Sequence, residues 1–147
     1  MTNIQEVTHI LLAEDDQDDV LIFQLAIDEL SKTIILSIAE NGEKLVAMVE
    51  EILPDIIFLD INMPCLTGQE CLREIRSRKK FDNVPIIMYT SHGDLHMIDD
   101  AYRDGANFYM IKSNSIHELT DKLNKILFNK NWKESIYFPL RKDFVLS

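Results

Sequence analysis

Four short apolar runs in this chain end in polar side chains of different chemical types. Glu14 and Asp15 follow one run, Asp60 follows another, Thr90 ends a third and Lys112 follows a fourth. Carboxylates held close together repel one another, which raises their pKa values unless a cation neutralises them. A hard divalent cation such as Mg²⁺ suits a site with few protein oxygen ligands and open coordination positions. These residue types therefore predict a cation site beside a carboxylate nucleophile.

The predicted chemistry is transfer of a phosphoryl group to a carboxylate. A carboxylate that attacks phosphorus forms an acyl phosphate. Mg²⁺, a hydroxyl such as that of Thr90 and an ammonium such as that of Lys112 would then share the three phosphoryl oxygens. A purely structural interpretation is hardest to accept for Asp60, because it closes an apolar strand, where a charge is costly to bury.

The acids after the first apolar run have a simpler interpretation as well. Acidic residues in the first turn of a helix are stabilised by the helix dipole. Asp16, Asp18 and Asp19 are interpreted as such a solvated first turn. For Glu14 and Asp15 taken alone, the same interpretation stays open, but the polar ends of the other runs favour a shared site.

The apolar runs alternate with segments of helical periodicity. Strands are predicted at 9–13, 33–38, 55–60, 84–90 and 107–111. Helices are predicted at 17–30, 43–52, 68–79, 94–103 and 115–128, where apolar residues recur every three or four positions. Ser115 and Glu118 are expected to form a capping box. The alternation favours a parallel sheet covered by helices on both faces, with the working site at the carboxyl ends of the strands.

The composition is that of an ordinary globular domain. The chain has 147 residues, of which 46% are hydrophobic, and a net charge of −10. An acidic chain repels the backbone of nucleic acids, so nucleic acid is not expected as a partner. The apolar runs are far shorter than the roughly 20 residues of a membrane span, and the first residues do not resemble a signal sequence. A cytoplasmic protein without membrane contact is expected, with Cys65 and Cys71 as free thiols.

Four spaced motifs resemble those of the response-regulator receiver domain of two-component signalling. They are ILLAEDD at 10–16, DIIFLDINMPCLTG at 55–68, PIIMYTS at 85–91 and ANFYMIK at 106–112. The resemblance covers about residues 8–128. It implies a flavodoxin-like α/β fold, in which a doubly wound, five-stranded parallel sheet of order 2-1-3-4-5 is surrounded by five helices.

The resemblance also implies a role for each acidic residue. Asp60 would be the phosphoacceptor. Asp15 would bind Mg²⁺ directly, and Glu14 would hold a water molecule bound to the ion. Asp60 itself and the backbone carbonyl of Asn62 would complete the protein ligands.

The remaining motif residues are implied to act in switching and in shaping the loop. Thr90 would be the switch hydroxyl, Lys112 the cation that pairs with the phosphoryl group, and Tyr109 the switching aromatic residue. The alternative for Tyr109 is a strand residue that only packs. The loop after the acceptor would be shaped by Met63, Pro64 and Gly68. The sequence departs from the family where Ser113 replaces the usual proline, and a trans peptide bond is expected there.

Residues 129–147 differ from the rest of the chain. They hold four basic and two acidic residues, together with large apolar side chains such as Trp132, Tyr137 and Phe144. Nineteen residues are too few to build a DNA-binding or catalytic domain. The expected organisation is a receiver domain at 8–128 and a C-terminal extension without a separate output domain. The extension either folds back on its own domain or forms an arm of a homodimer.

The resemblance implies a stand-alone phosphoacceptor signalling protein rather than an enzyme that acts on other substrates. A sensor histidine kinase or a phosphotransfer protein would supply the phosphoryl group, and a downstream protein target would detect the change. Two other functions stay open. A Mg²⁺-dependent phosphohydrolase typically has Asp-x-Asp at the nucleophile, whereas Asn62 stands at the second position here. A flavodoxin-like electron carrier typically has a hydroxyl- and glycine-rich phosphate loop after the first strand, where this chain has acids.

Overall fold

The structure, a computed structural model, describes residues 8–30, 33–128 and 139–146. Its strands are β1 Thr8–Ala13, β2 Ile34–Ala39, β3 Ile56–Leu59, β4 Ile86–Thr90, β5 Phe108–Ile111 and β6 Val145–Leu146. Its α-helices are α1 Gln17–Leu30, α2 Gly42–Ile52, α3 Gly68–Arg76, α4 Leu95–Arg103 and α5 Ile116–Leu127. Short 3₁₀ turns cover Lys79–Phe81 and Arg141–Asp143.

The strands form one sheet of order β2-β1-β3-β4-β5-β6, in which every neighbouring pair is parallel. The doubly wound α/β class and the order of the first five strands are confirmed. The predicted count of five strands is wrong by one, because Val145 and Leu146 pair with Tyr109 and Met110. A strand of two residues is too short to show any periodicity in the sequence.

Two apolar cores cover the two faces of the sheet. Alternate residues of β1 enter different cores, with Leu11 facing α2, α3 and α4 and Leu12 facing α1 and α5. Both faces of β3 and β4 are therefore buried, which explains why these strands are apolar throughout. The carboxyl ends of these buried strands carry the polar residues of the predicted site.

Most predicted helices are found with small shifts of their ends, and α1 has the predicted bounds. The third helix ends at Arg76, three residues before the predicted end, because Arg78 is extended and a 3₁₀ turn then buries Phe81. Ser115 caps α5 by accepting from the backbone N–H of Glu118, as predicted. The predicted capping box is wrong, however, since the Glu118 carboxylate accepts from the hydroxyl of Ser113 at 2.5 Å.

Residues 139–146 pack against β5 and α4 of their own domain. The carbonyl oxygen of Phe144 accepts from the backbone N–H of Tyr109 at 3.0 Å, and the Tyr102 hydroxyl donates to the Pro139 carbonyl at 2.8 Å. The ring of Phe144 is fully buried, 5.0 Å from the ring of Tyr102. Folding back is therefore the arrangement of this part of the extension, while residues 129–138 lie outside the described residues.

No helix within the described ranges is both long enough and apolar enough to cross a membrane.

Candidate functional site

Backbone hydrogen bonds continue the sheet by one residue beyond the strands and so place the site residues. The N–H of Asp60 donates to the carbonyl of Ala13 at 3.1 Å, and the N–H of Lys112 donates to the carbonyl of Thr90 at 2.8 Å. The N–H of Glu14 likewise donates to the carbonyl of Ala39 at 3.0 Å. Since all strands are parallel, these residues lie at one edge of the sheet, as the sequence predicts.

Three carboxylates form a compact cluster at this edge. One oxygen each of Glu14, Asp15 and Asp60 lies within 4.8 Å of the others. Glu14 and Asp60 are buried, whereas Asp15 is exposed. Burial, together with the neighbouring carboxylate of Asp60, raises the pKa of Glu14 well above its usual value. Such a cluster favours a bound cation, because the positive charge would stabilise all three carboxylates.

The second oxygen of Glu14 supports the same conclusion. Oε2 is buried and has no hydrogen-bond partner among the described residues. A buried, unpartnered carboxylate oxygen is costly, so an additional ligand is expected beside it. The surrounding donor set consists of oxygens, which hard divalent cations prefer. The residues present therefore fit Mg²⁺ or a similar ion.

Lys112 contacts the cluster from the end of β5. Its ammonium donates to Glu14 Oε1, to Asp19 Oδ2 at 2.8 Å and to Asp60 Oδ2 at 3.1 Å. The side chain is 11% exposed. Burial lowers the pKa of Lys112, but the hydrogen bonds to Asp19 and Glu14 and the charge of Asp60 outweigh it, so the pKa lies above its usual value. The ammonium is therefore charged beside Asp60 at neutral pH.

The loop after Asp60 is held close to the acceptor. A Cβ added at Gly68 would lie 2.1 Å from the carbonyl oxygen of Asp60, so glycine is required for this approach. The backbone N–H of Asn62 donates to Asp60 Oδ1 at 3.3 Å, and the Asn62 side chain is exposed. Met63 is buried beneath the loop, while Pro64 is exposed.

Thr90 and Tyr109 are linked through the backbone of His92. The Thr90 hydroxyl, which is fully buried, accepts from the N–H of His92 at 3.3 Å. The Tyr109 hydroxyl donates to the carbonyl of the same residue at 2.6 Å. Tyr109 is fully buried beside Phe144, and its burial raises the pKa of the phenol to about 12. A change at Thr90 can therefore reach Tyr109 through one residue.

Asp19 is the site residue that sequence reasoning assigns to the wrong environment. It is predicted to be part of a solvated helix turn, yet its carboxylate is 29% exposed and contacts Lys112. Asp19 lies in the first turn of α1, four residues after Asp15. This spacing is the available signal, but exposed neighbours such as Asp18 obscure it.

The peptide bond between Lys112 and Ser113 is trans, as the sequence predicts.

A model of the response regulator receiver domain matches residues 10–124 of the chain. The chain belongs to this family. Receiver domains are phosphoacceptor modules of two-component signalling that interact with histidine kinases and with downstream targets. The matched range contains every residue of the cluster together with Asp19 and Lys112.

Curated relatives of this receiver domain include regulators and a kinase. The transcriptional regulatory protein YdfI of Bacillus subtilis is 31% identical over 96 residues, which make up 65% of this chain and 44% of that protein. A chemotaxis protein CheY homolog of Campylobacter jejuni is 33% identical over 72 residues, 49% of this chain and 55% of the relative. Hybrid signal transduction histidine kinase D of Dictyostelium discoideum is 27% identical over 132 residues, 90% of this chain and 8% of the kinase. The chain thus spans about half or less of the length of these relatives.

Solved structures resemble this receiver domain over most of its length. The Mn²⁺-bound form of response regulator Rcp1 has a TM-score of 0.73 at 25% identity and covers 90% of this chain and 99% of the other. The chemotaxis response regulator CheY4 of Vibrio cholerae has a TM-score of 0.72 at 20% identity and covers 81% of this chain and 98% of the other. The second likeness shows the fold alone.

Proposed function

We propose that this chain is a cytoplasmic response regulator that accepts a phosphoryl group on Asp60 from a histidine kinase or phosphotransfer protein. The observation that carries the proposal is the 3.1 Å contact between Asp60 Oδ2 and the Lys112 ammonium within the cluster of acidic residues. A buried carboxylate with a neighbouring cation and neighbouring metal-ligand oxygens is suited to attack phosphorus.

We further propose that the acidic cluster holds Mg²⁺. Asp15 and Asp60 would be direct ligands together with the backbone carbonyl of Asn62, and Glu14 would hold a water molecule bound to the ion. The bound ion would neutralise negative charge on the phosphoryl group. Two observations support this assignment, namely the unpartnered Oε2 of Glu14 and the Mn²⁺-bound form of the similar protein Rcp1.

The roles proposed for the other residues follow from their positions. The Asp60 carboxylate would form the new bond to phosphorus while the bond from phosphorus to the donor breaks. Lys112 would pair with one phosphoryl oxygen, and the Thr90 hydroxyl would donate to another after releasing its contact with His92. The proposed chemistry is limited to phosphorylation and dephosphorylation of the chain itself.

The signal is proposed to leave through the face formed by α4, β5 and residues 139–146. The Tyr109 ring is already buried beneath Phe144, so the proposed signal does not begin with a movement of this ring. A movement of Thr90 would instead act on His92, whose carbonyl holds the Tyr109 hydroxyl. Contacts of this face with a downstream protein, or with a second copy in a homodimer, would change as a result. Leu140, which is 64% exposed on this face, is a candidate contact residue.

The test is labelling with acetyl phosphate, followed by intact mass. The parent protein should gain one phosphoryl group only when Mg²⁺ is present, and Asp60→Asn should gain none. Asp55→Asn is the matched control, because Asp55 lies at the opposite end of the same strand and should not affect labelling. Equal labelling of Asp60→Asn and the parent would show that the proposed acceptor is wrong. Continuous release of phosphate from p-nitrophenyl phosphate would instead favour a phosphohydrolase.

A further inference from the structure

We propose that Asp19 is a positioning residue for Lys112, which it keeps beside Asp60 when a cation occupies the acidic cluster. The inference rests on the proposed function and extends it to a residue that lies outside the four sequence motifs. Asp19 does not touch the reacting atoms itself. It acts through the Lys112 ammonium, with which its carboxylate forms a 2.8 Å hydrogen bond.

The geometry around Lys112 assigns each hydrogen of the ammonium to a different carboxylate. The three acceptors are Glu14, Asp19 and Asp60. A lysine ammonium has three donors and no acceptor, so these contacts use its full capacity. To bind a phosphoryl oxygen, Lys112 must release at least one of its present partners.

The three partners differ in what else they can bind. Glu14 and Asp60 belong to the compact cluster with Asp15 that fits a divalent cation. A cation there would compete with Lys112 for the oxygens of Glu14 and Asp60 and would also repel the ammonium. Asp19 is not a member of this cluster. Its contact with Lys112 is therefore the one that can persist in the metal-loaded site.

Helix α1 fixes the position of Asp19. The Asp16 side chain caps the start of α1 by accepting from the N–H groups of Asp18 and Asp19, at 2.8 and 3.2 Å. Further along the helix, Phe23 is fully buried in the core beneath the sheet. The carboxylate therefore projects from a backbone that is fixed both locally and by packing.

The Lys112 ammonium also lies near an aromatic ring. Lys112 Nζ lies 5.4 Å from the centroid of Tyr89, a distance within the range of cation–π attraction. Asp19 and Tyr89 thus confine a side chain that would otherwise sample many rotamers. Without Asp19, we expect the ammonium to leave the acceptor once the cation is bound.

The experiment compares rates of labelling by acetyl phosphate at saturating Mg²⁺. Asp19→Ala should label on the order of ten- to a hundredfold more slowly than the parent, because its lysine is misplaced. Asp18→Ala is the matched control, since Asp18 has the same charge and lies in the same helical turn but is more exposed. It should label within about twofold of the parent, as expected of a surface residue away from the site. Asp19→Asn, which retains an acceptor oxygen, should be slowed less than Asp19→Ala.

A second comparison separates positioning from a general effect on the fold. In a Lys112→Met background, Asp19→Ala should cause no further loss of rate, because the residue acts through the missing ammonium. Labelling of the Lys112→Met proteins is followed over hours, so that slow rates can still be measured. An equal loss in both backgrounds, an equal loss in Asp18→Ala, or a parental rate in Asp19→Ala would overturn the inference. Labelling of the parent that does not depend on Asp60 would instead refute the proposed function itself.

Discussion

The carbonyl oxygen of Phe144 accepts a hydrogen bond from the backbone N–H of Tyr109, while its ring lies 6.1 Å from the Tyr109 ring. A residue near the C-terminus thereby becomes part of the core beside a strand that ends at the candidate site. The edge of the sheet next to β5 is covered by this contact, since β6 continues the ladder. The C-terminal segment and the site are consequently parts of one packed unit.

Phe144→Ala should destabilise the whole domain. Removing a fully buried phenyl group leaves a cavity between Tyr102 and Tyr109, and such changes cost about 3–5 kcal/mol. The free energy of unfolding from urea titration measures this loss. Leu140→Ala is the control, because Leu140 is exposed in the same segment and should change stability by less than about 0.5 kcal/mol. Equal stability of Phe144→Ala and the parent would show that the segment does not pack as described.

Gly68→Ala should destabilise the domain and distort the loop that follows Asp60. The added methyl group would lie 2.1 Å from the Asp60 carbonyl oxygen and 2.7 Å from the Ile61 Cα, so backbone atoms would have to move. Overpacking of this kind costs about 1–3 kcal/mol or more. Gly93→Ala is the control, since its methyl group would meet only the end of the Ile111 side chain at 3.1 Å. Thermal unfolding of both variants measures the difference, and equal midpoints would contradict the close approach.

The two cysteines should differ in their reactivity towards iodoacetamide. Burial, together with the charges of Glu70 and Glu74, raises the pKa of the Cys71 thiol to about 12. A raised thiol pKa means that the reactive thiolate is scarce at pH 8, and the buried position also restricts access. Cys65 is exposed. Mass spectrometry should therefore find rapid alkylation of Cys65 alone, and alkylation of both at similar rates in the folded protein would disprove the assignment.

Asp15→Asn should weaken Mg²⁺ binding. The substitution removes one charge from a cluster of three carboxylates, and divalent-cation affinity depends strongly on ligand charge. Titration calorimetry with Mg²⁺ should show an affinity lower by about tenfold or more, which corresponds to about 1.4 kcal/mol. Asp16→Asn is the control, because Asp16 caps α1 outside the cluster. Unchanged affinity in Asp15→Asn would mean that the ion binds elsewhere.

The fold could be predicted from the sequence because short apolar strands alternate with amphipathic helices. The end of α3 could not be predicted from the sequence. The helix is separated from the turn that buries Phe81 by the extended backbone of Arg78, which has no signal in the sequence. The strand β6 could not be predicted either, since two residues carry no periodic signal and depend on pairing with distant β5. Tertiary contacts decided both features.

The candidate site was predictable where each residue ends a buried strand. Glu14, Asp60, Thr90 and Lys112 meet this condition and lie at one edge of the sheet. Asp19 was not predictable in this way, because its partner Lys112 is 93 residues distant and its neighbours in the helix turn are ordinary exposed acids. The identity of its partner depends on how α1 packs against α5 and the sheet, which sequence periodicity does not determine.

The most direct test of the central claim is to locate the phosphoryl group chemically. After labelling with acetyl phosphate and Mg²⁺, borohydride reduction converts a phosphorylated aspartate into homoserine, and peptide mass spectrometry identifies the position. Homoserine is expected at Asp60, the buried carboxylate that contacts Lys112 at 3.1 Å. Homoserine at Asp15 or Asp19 with none at Asp60, or a label that remains on a serine or histidine after reduction, would contradict it.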